Sequence, residues 1–122
     1  MRVWCADFEE LAAGYQHSCG LTNGTARCWG SNSNGQTTVP AVTGGWKSLI
    51  AGGFHTCGVL LADASARCWG GNGYGQTTVP AVTGGWKSLA AGYYHTCGVT
   101  KLTSTTLCWG SNAYGQTGVP KP

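Results

Sequence analysis

Short runs of alternating apolar and polar residues, separated by glycine and asparagine, make up most of the chain. Residues 49–52, 56–60 and 66–69 are three such runs, and Gly or Asn clusters bound them, which is typical of strands joined by turns. No segment repeats its apolar residues with the 3.6-residue period of a helix for long enough to form one. The pattern therefore predicts an all-β protein with short strands.

The same pattern occurs three times. Each unit reads Ala-Gly-x-x-His-Ser/Thr-Cys-Gly, then a short gap, then Cys-Trp-Gly-x-Asn-x-x-Gly-Gln, at residues 13–36, 51–76 and 91–116. The connector GQTTVPAVTGGWKSL is identical at residues 35–49 and 75–89. A fixed period of about forty residues is typical of repeat architectures, whose units cannot bury an apolar face alone. We expect one repeat domain over residues 1–122, with units at approximately 1–40, 41–80 and 81–120.

Six of the seven cysteines fall in pairs inside the units: Cys19 and Cys28, Cys57 and Cys68, Cys97 and Cys108. Regular pairs in a small chain predict disulfides formed in an oxidising compartment, so we expect a secreted or extracellular protein. Cys5 is left over and aligns with connector threonines. It is expected either to form an intermolecular disulfide or to remain a free thiol.

The first unit predicts its own hairpin register. If Cys19 faces Cys28 across an antiparallel pair, Thr22 faces Thr25 and Asn23-Gly24 remains as a two-residue loop. Asn-Gly is the preferred type I′ turn because both central residues need positive φ. The later units have two more residues between their cysteines, which keeps both cysteines on one face because strand side chains alternate with period two.

Charge and hydropathy exclude some function classes. Charged residues make up 9% of the chain, the net charge is +3, and the basic residues are scattered rather than grouped in a stripe that could neutralise phosphates. We therefore expect no nucleic-acid partner. No apolar run reaches the roughly eighteen residues that a membrane span needs. The sequon Asn23-Gly24-Thr25 predicts glycosylation of Asn23 on a loop.

The three histidines each precede a cysteine by two residues, so His and Cys would share one side of a strand. One interpretation is a zinc site made of His-x-Cys and the later cysteine. The other is a disulfide beside a histidine that hydrogen-bonds a neighbouring turn or blade. We favour the second, with no metal, because the Cys-x-x-Cys spacing of zinc sites is missing; the residues are His17, His55 and His95.

Tryptophans recur at two places in the unit. Trp29, Trp69 and Trp109 follow the second cysteine, while Trp46 and Trp86 open the strand after the connector, where the first unit has Phe8. Such rings either stack on sugars or pack one sheet on the next. Because they recur in every unit, we expect packing. The recurring asparagines and glutamines are expected to bond their own loop backbones; they are Asn32, Asn72, Asn112, Gln36, Gln76 and Gln116.

Candidate catalytic groups are few. The four acidic residues are Asp7, Glu9, Glu10 and Asp63, of which three lie together near the N-terminus, so no pair of catalytic carboxylates can be assigned. No Ser-His-Asp set or nucleophile elbow is recognisable. Gly71-x-Gly73-x-Gly75 precedes no predicted helix, which argues against a phosphate loop. We therefore expect a protein without enzymatic activity, catalytic residues or cofactors.

These residues resemble the repeat of the regulator of chromosome condensation 1 family, with Gly-x-x-His-Ser/Thr, then Trp-Gly-x-Asn, then Gly-Gln. In the first unit these are Gly14, His17, Trp29, Asn32 and Gln36, and the spacing holds three times. The cysteine pairs resemble the extracellular branch of that family, such as ectodomains of plant crinkly-type receptor kinases and secreted bacterial propellers. The resemblance implies a β-propeller in which each unit is a four-stranded blade. The nuclear members' roles on a GTPase and chromatin are not expected here.

Family members usually have seven blades, and three blades cannot close a ring. An open arc would expose apolar faces and strand edges, which favours self-association. We expect two chains to form a six-bladed ring, or, if the rotation does not close, a spiral or filament, with Cys5 able to link subunits. The chain could also be a fragment of a longer propeller.

Two functions fit this interpretation. The first is a secreted module that binds a protein or a glycan, and the second is a structural subunit of an extracellular assembly. A binding module is expected to concentrate its non-repeating aromatic residues on one face. The candidates for this face are Tyr15, Phe54, Tyr74, Tyr93, Tyr94 and Tyr114.

Overall fold

The computed structural model describes residues 7–121, so the prediction for Cys5 lies outside the described residues. Within this range nine strands form three antiparallel sheets, each with the strand order of the sequence. We call each sheet with its loops a blade. The strands are β1 (Glu10–Ala13), β2 (His17–Thr22) and β3 (Thr25–Gly30) in the first blade, β4 (Trp46–Ala51), β5 (His55–Leu60) and β6 (Ala66–Gly70) in the second, and β7 (Trp86–Ala91), β8 (His95–Thr100) and β9 (Thr106–Gly110) in the third.

The hairpin between β2 and β3 has the predicted register. Cys19 pairs with Cys28 and Thr22 with Thr25, which leaves Asn23 and Gly24 as the turn. Their φ angles are 49° and 78°, both positive as a type I′ turn requires. In the later blades Cys57 faces Cys68 and Cys97 faces Cys108, despite the two extra residues in each gap. The period-two argument for the cysteine pairs is confirmed.

The expectation of four strands per blade was wrong for the described residues, in which each sheet has three. Residues 37–45 and 77–85 would supply the fourth strand, but they are turns, bends and irregular chain. Pro40 has no N–H to donate to a ladder, and Gly44 and Gly45 have φ angles of 89° and 84°, which are not strand conformations. The next strand begins at Trp46, the residue expected to open it, with a bulge between Trp46 and Ser48.

The hydrophobic core lies between the blades. One cluster joins Cys19 and Leu21 of the first blade to Trp46, Leu49 and Trp69 of the second. The other joins the second blade to the third, and its buried members are Val59, Ala64, Trp86 and Trp109. Each sheet is therefore stabilised by its neighbour, as expected for a repeat protein whose units cannot bury an apolar face alone.

Two recurring glycines make room for rings. A Cβ added at Gly98 would lie 2.5 Å from Cζ3 of Trp86 and 2.8 Å from Cδ2 of Leu89, so only glycine lets the tryptophan cross this strand pair. A Cβ at Gly14 would lie 2.6 Å from Cε1 of His17. The spacing Gly-x-x-His is thus a packing requirement of the histidine ring.

The first strands of the three blades lie side by side, because β1 contacts β4 and β4 contacts β7. The loops that enter β2, β5 and β8 consequently converge at one end of the molecule. The turns that follow β3, β6 and β9 reach the same end, since each of those strands runs antiparallel to its partner. The described part of the chain contains no helix that is long and apolar enough to cross a membrane.

Candidate functional site

Consecutive blades are joined by a repeated hydrogen-bond relay. Between the first and second blades, the Thr56 hydroxyl donates to the Gln36 carbonyl oxygen at 2.7 Å and Trp69 Nε1 donates to the same oxygen at 3.0 Å. His17 Nε2 lies 2.9 Å from the Thr56 hydroxyl oxygen. All four residues are buried, with exposed fractions from 0 to 8%. We call this set of four residues the inter-blade relay.

The second and third blades repeat the relay with the same geometry. Thr96 and Trp109 donate to the Gln76 carbonyl oxygen at 2.8 and 3.0 Å, and His55 Nε2 lies 2.9 Å from the Thr96 hydroxyl oxygen. The sequence places these residues far apart in the chain. Only the stacking of the blades brings them together, so local sequence does not reveal the relay.

The relay fixes the protonation state of its histidines. Because the threonine hydroxyl hydrogen is directed at the Gln carbonyl oxygen, the hydroxyl oxygen can only accept from the histidine, so His17 and His55 carry their proton on Nε2. Burial and the neighbouring His17 and His95 lower the pKa of His55 to about 4. Burial likewise lowers the pKa of His17. Both rings are therefore neutral near pH 7.

Three disulfides join the predicted cysteine pairs, Cys19 to Cys28, Cys57 to Cys68, and Cys97 to Cys108. Each connects the second and third strands of one blade, and Cys19 and Cys57 are fully buried. The cysteines that a zinc site would need are thus bonded to one another. Within residues 7–121 no group of three or more His, Cys, Asp or Glu side chains is placed to hold a metal ion.

Four of the five recurring tryptophans are buried between blades. Trp46 packs against Trp69 with 5.3 Å between ring centroids, and Trp86 packs against Trp109 at 5.4 Å. Trp29 differs, because it is 46% exposed where Trp69 and Trp109 are 8% exposed. It stacks on Phe8 of its own blade at 5.5 Å. The local sequence Cys-Trp-Gly is the same in all three places, so the difference comes from the neighbouring blade.

Non-repeating aromatic residues gather at the end of the molecule where the loops converge. Tyr15 contacts Phe54 and Tyr93, Phe54 contacts Tyr93 and Tyr94, and Tyr94 contacts Tyr74, with ring centroids 4.7 to 6.3 Å apart. We call these five residues the aromatic face. The sixth candidate, Tyr114, makes none of these ring contacts and is 94% exposed. The prediction that these rings share a face is confirmed for five of the six.

Tyr93 lies at the centre of the aromatic face. Its ring covers Gly53, where an added Cβ would be 2.8 Å from the tyrosine Cδ1 atom, so glycine at this position is what lets the ring of the third blade reach the other two. Partial burial, and then the nearby hydroxyls of Tyr94 and Tyr15, raise the pKa of Tyr93. Tyr15, Tyr74 and Tyr93 remain exposed.

The turns beside the aromatic face are held by their own amides, as predicted. In each unit the asparagine side chain accepts a hydrogen bond from the threonine N–H five residues later, and the glutamine side chain accepts one from the backbone two residues earlier. A shallow groove of about 370 Å³ runs between Phe54, Tyr74 and Tyr94, and Asn34 and Asn72 lie along it. The face therefore offers aromatic rings next to neutral amides.

Three successive three-stranded sheets with buried inter-blade contacts define an open β-propeller repeat protein. The family model of the regulator of chromosome condensation (RCC1) repeat matches residues 8–36, 46–76 and 86–116. The chain belongs to this family. No curated protein sequence matches it.

Solved structures of plant receptor kinases are similar to the chain. The ectodomain of the Physcomitrella patens receptor kinase CR4 has 31% identity and a TM-score of 0.75 over 94% of this chain and 33% of that chain. The CRINKLY WD40 ectodomain of Arabidopsis thaliana ACR4 has 37% identity and a TM-score of 0.64 over 84% of this chain and 36% of that chain. Human WBSCR16, at 17% identity and a TM-score of 0.79 over 94% of this chain and 38% of that chain, shares the fold. The chain spans about a third of each of these structures.

Proposed function

We propose that the chain is an extracellular, non-enzymatic module that binds a protein or a glycan through its aromatic face. The observation that carries this proposal is the contact of five non-repeating rings, from all three blades, at one end of the molecule. These rings lie outside both buried core clusters, and Tyr15, Tyr74 and Tyr93 stay exposed, so a partner can reach them.

The chemistry of the aromatic face suits recognition. Tyrosine offers a large, rigid contact area at low cost in conformational entropy, and its hydroxyl can bond a partner. Three exposed tyrosines beside neutral amides match the apolar faces and hydroxyl rims of sugars, as well as apolar patches on proteins. The groove at this end is lined by aromatic rings and amides and not by carboxylates, which suits ligand binding better than acid–base catalysis.

An extracellular location is supported by the three disulfides and by the similarity to receptor-kinase ectodomains. Asn23 and Thr25 are exposed on the tight turn between β2 and β3, at the opposite end of the strands from the aromatic face. We propose that Asn23 is glycosylated, which would leave the binding face open. A loss of mass after endoglycosidase treatment of secreted protein, absent in Asn23→Gln, is the expected result.

The binding proposal is tested with an array of neutral oligosaccharides, acidic oligosaccharides and synthetic peptides. The unmodified chain is expected to bind one class, and Tyr15→Ala combined with Tyr93→Ala is expected to weaken this binding by about tenfold or more. Tyr114→Ala is the control, since it removes an exposed tyrosine that makes none of these ring contacts. Absence of binding to every class, or equal binding by the double variant, would overturn the proposal.

A second candidate function is a structural subunit of an extracellular assembly formed by self-association. The specific observation in its favour is Trp29, whose counterparts are buried by a preceding blade while it is half exposed. The native mass of the chain at increasing concentration tests this candidate. A mass that stays at the monomer value would eliminate it and leave the binding proposal untouched.

A further inference from the structure

The groove beside the aromatic face is built from two successive turns and two loops. The turn after β3 supplies Asn34, the turn after β6 supplies residues 71–76, and the loops before β5 and β8 supply Phe54 and Tyr94. Its volume of about 370 Å³ lies at the small end of the range for small-molecule sites, which is about 300 to 1,000 Å³. We call this site the aromatic groove.

Gly73 keeps the aromatic groove open. The first and third units have Ser33 and Ala113 at the same place, so the turn itself accepts a side chain there. Gly73 is not among the glycines with a positive φ, and a Cβ added to it would meet nothing within 4 Å. Neither the backbone nor the packing requires a glycine at this position. Its effect is to leave the space of the groove unfilled.

A buried amide lines the aromatic groove. Gln76 is only 2% exposed, and its Oε1 accepts a hydrogen bond from the Tyr74 N–H at 2.9 Å. Among residues 7–121 no group accepts a hydrogen bond from its Nε2. The Nδ2 group of Asn34 likewise has no acceptor in that part of the chain, although its Oδ1 accepts from the Ser33 hydroxyl. A buried donor without a partner is costly, so both amides are placed to donate to a ligand oxygen.

The rings of the aromatic groove form one continuous surface. Phe54 stacks on Tyr94 with ring centroids 5.6 Å apart, and Tyr94 contacts Tyr74 at 4.7 Å. A proline ring held between two aromatic rings would need roughly 7 to 8 Å between them, which is twice the van der Waals separation. The groove therefore has no slots for a proline-rich peptide. A ligand ring can lie on this surface, where Tyr74 is 56% exposed.

The end of the molecule that holds the aromatic groove carries no charge and no strand edge. Its loops are residues 14–16, 31–36, 52–54, 71–76, 92–94 and 111–116, none of which is Asp, Glu, Lys or Arg. An acidic or basic ligand would therefore find no opposite charge here. These residues are also turns and irregular chain, so an extended peptide has no strand to pair with.

We infer that the aromatic groove binds a neutral saccharide. The apolar face of a sugar ring stacks on Tyr74 and the adjoining rings, while its hydroxyl oxygens accept hydrogen bonds from Gln76 Nε2 and Asn34 Nδ2. An uncharged ligand with ring faces and hydroxyls is the one whose chemistry matches each part of the groove. This inference rests on the binding function proposed above and narrows its ligand to one class.

The test measures the binding of cello-, manno- and chito-oligosaccharides to the full chain by titration calorimetry. At least one of these neutral oligosaccharides is expected to bind. Gly73→Leu fills the groove and is expected to weaken that binding by about tenfold or more. Ala113→Leu is the matched control, because it adds the same side chain at the equivalent place in the third unit, outside the groove, and it is expected to bind as the unmodified chain does.

A second set of variants tests the ring surface and the rim amide. Tyr74→Ala is expected to weaken saccharide binding by about tenfold, whereas Tyr114→Ala, at the equivalent place in the third unit, is expected to leave it unchanged. Asn34→Ala removes one donor and is expected to weaken binding by about fivefold. Saccharide binding that Gly73→Leu and Tyr74→Ala leave unchanged would overturn the assignment to this groove.

Two further ligands separate this inference from the broader binding function. Oligogalacturonide is an acidic saccharide, and a synthetic proline-rich peptide is the usual ligand of aromatic grooves in proteins. Binding of either one in place of the neutral oligosaccharides would overturn the inference, while the proposed binding function would stand. If no oligosaccharide and no peptide binds to the chain, both are overturned.

Discussion

His55 donates a hydrogen bond from Nε2 to the hydroxyl oxygen of Thr96 at 2.9 Å, and this bond ties the second blade to the third. The histidine is fully buried, and burial together with the neighbouring His17 and His95 lowers its pKa from 6.5 to about 4. The His55 ring is therefore neutral in the folded protein. Protonation of His55 favours the unfolded chain, where the pKa has its ordinary value.

The first prediction is a loss of stability in acid. The contribution of neutral His55 is fully present above about pH 6.5 and is lost as the pH falls towards about 4, so the free energy of unfolding should drop by about 2 to 3 kcal/mol between about pH 7.5 and pH 4.5. Urea unfolding at the two pH values measures this change. In His55→Gln, which cannot titrate, most of the dependence should disappear. Equal stability of the unmodified chain at both values would contradict the assignment.

The second prediction concerns the disulfides. Each closes a loop with a sequence separation of 9 or 11 residues. A loop of this size stabilises the fold by on the order of 2 to 3 kcal/mol by restricting the unfolded chain. Reduction should therefore unfold the protein or sharply lower its melting temperature. Reduced and oxidised samples that melt at the same temperature in calorimetry would show that the bridges carry no stability.

The third prediction concerns the hydroxyl at the centre of the relay. Thr56→Val keeps the shape of the side chain but leaves the buried His17 Nε2–H without an acceptor and removes one donor from the Gln36 carbonyl oxygen. Loss of a buried partner costs about 1 to 3 kcal/mol, and the lower urea midpoint should show it. Thr78→Val is the control, because Thr78 bonds only within its exposed turn. A control that loses as much stability as Thr56→Val would argue against the relay.

The fourth prediction compares two glycines. Gly98→Ala places a methyl group 2.5 Å from Cζ3 of Trp86, a ring that is only 2% exposed and therefore closely packed. Overpacking of this kind costs about 1 to 3 kcal/mol. Gly73→Ala adds the same methyl group where nothing lies within 4 Å, so thermal unfolding of that variant should match the unmodified protein. Equal melting temperatures for both variants would contradict the packing of Trp86.

The relation between sequence and structure differs for the hairpins and the connectors. The Asn23-Gly24 turn and the cysteine spacing together specified the β2–β3 register, because both depend on residues only a few positions apart. A fourth strand in the connectors was expected only from the family resemblance and not from the residues of the connectors. Pro40, which has no N–H to donate, and the positive φ angles of Gly44 and Gly45 are incompatible with a strand ladder, and the structure has no strand there.

The histidines and tryptophans show the limit of local sequence. His17 and His55 were expected to bond a neighbouring turn or blade, and their partners are threonines of the next blade, 39 and 41 residues away, which the local sequence did not single out. Trp29 and Trp69 share the same neighbours in sequence and still differ in exposure. The neighbouring blade decides both, and neither spacing nor hydrophobic pattern records which blade lies against which surface.

The sequence by itself determined the strands, the turn types, the cysteine pairs and the number of units, since period-two alternation, turn chemistry and self-similarity all act over short distances. Only the tertiary structure decided that Thr56 and Trp69 share the Gln36 carbonyl oxygen and that Tyr15 of the first blade meets Tyr93 of the third. Those contacts depend on how whole sheets stack, because the burial of apolar faces between blades sets the distance and angle at which their side chains meet.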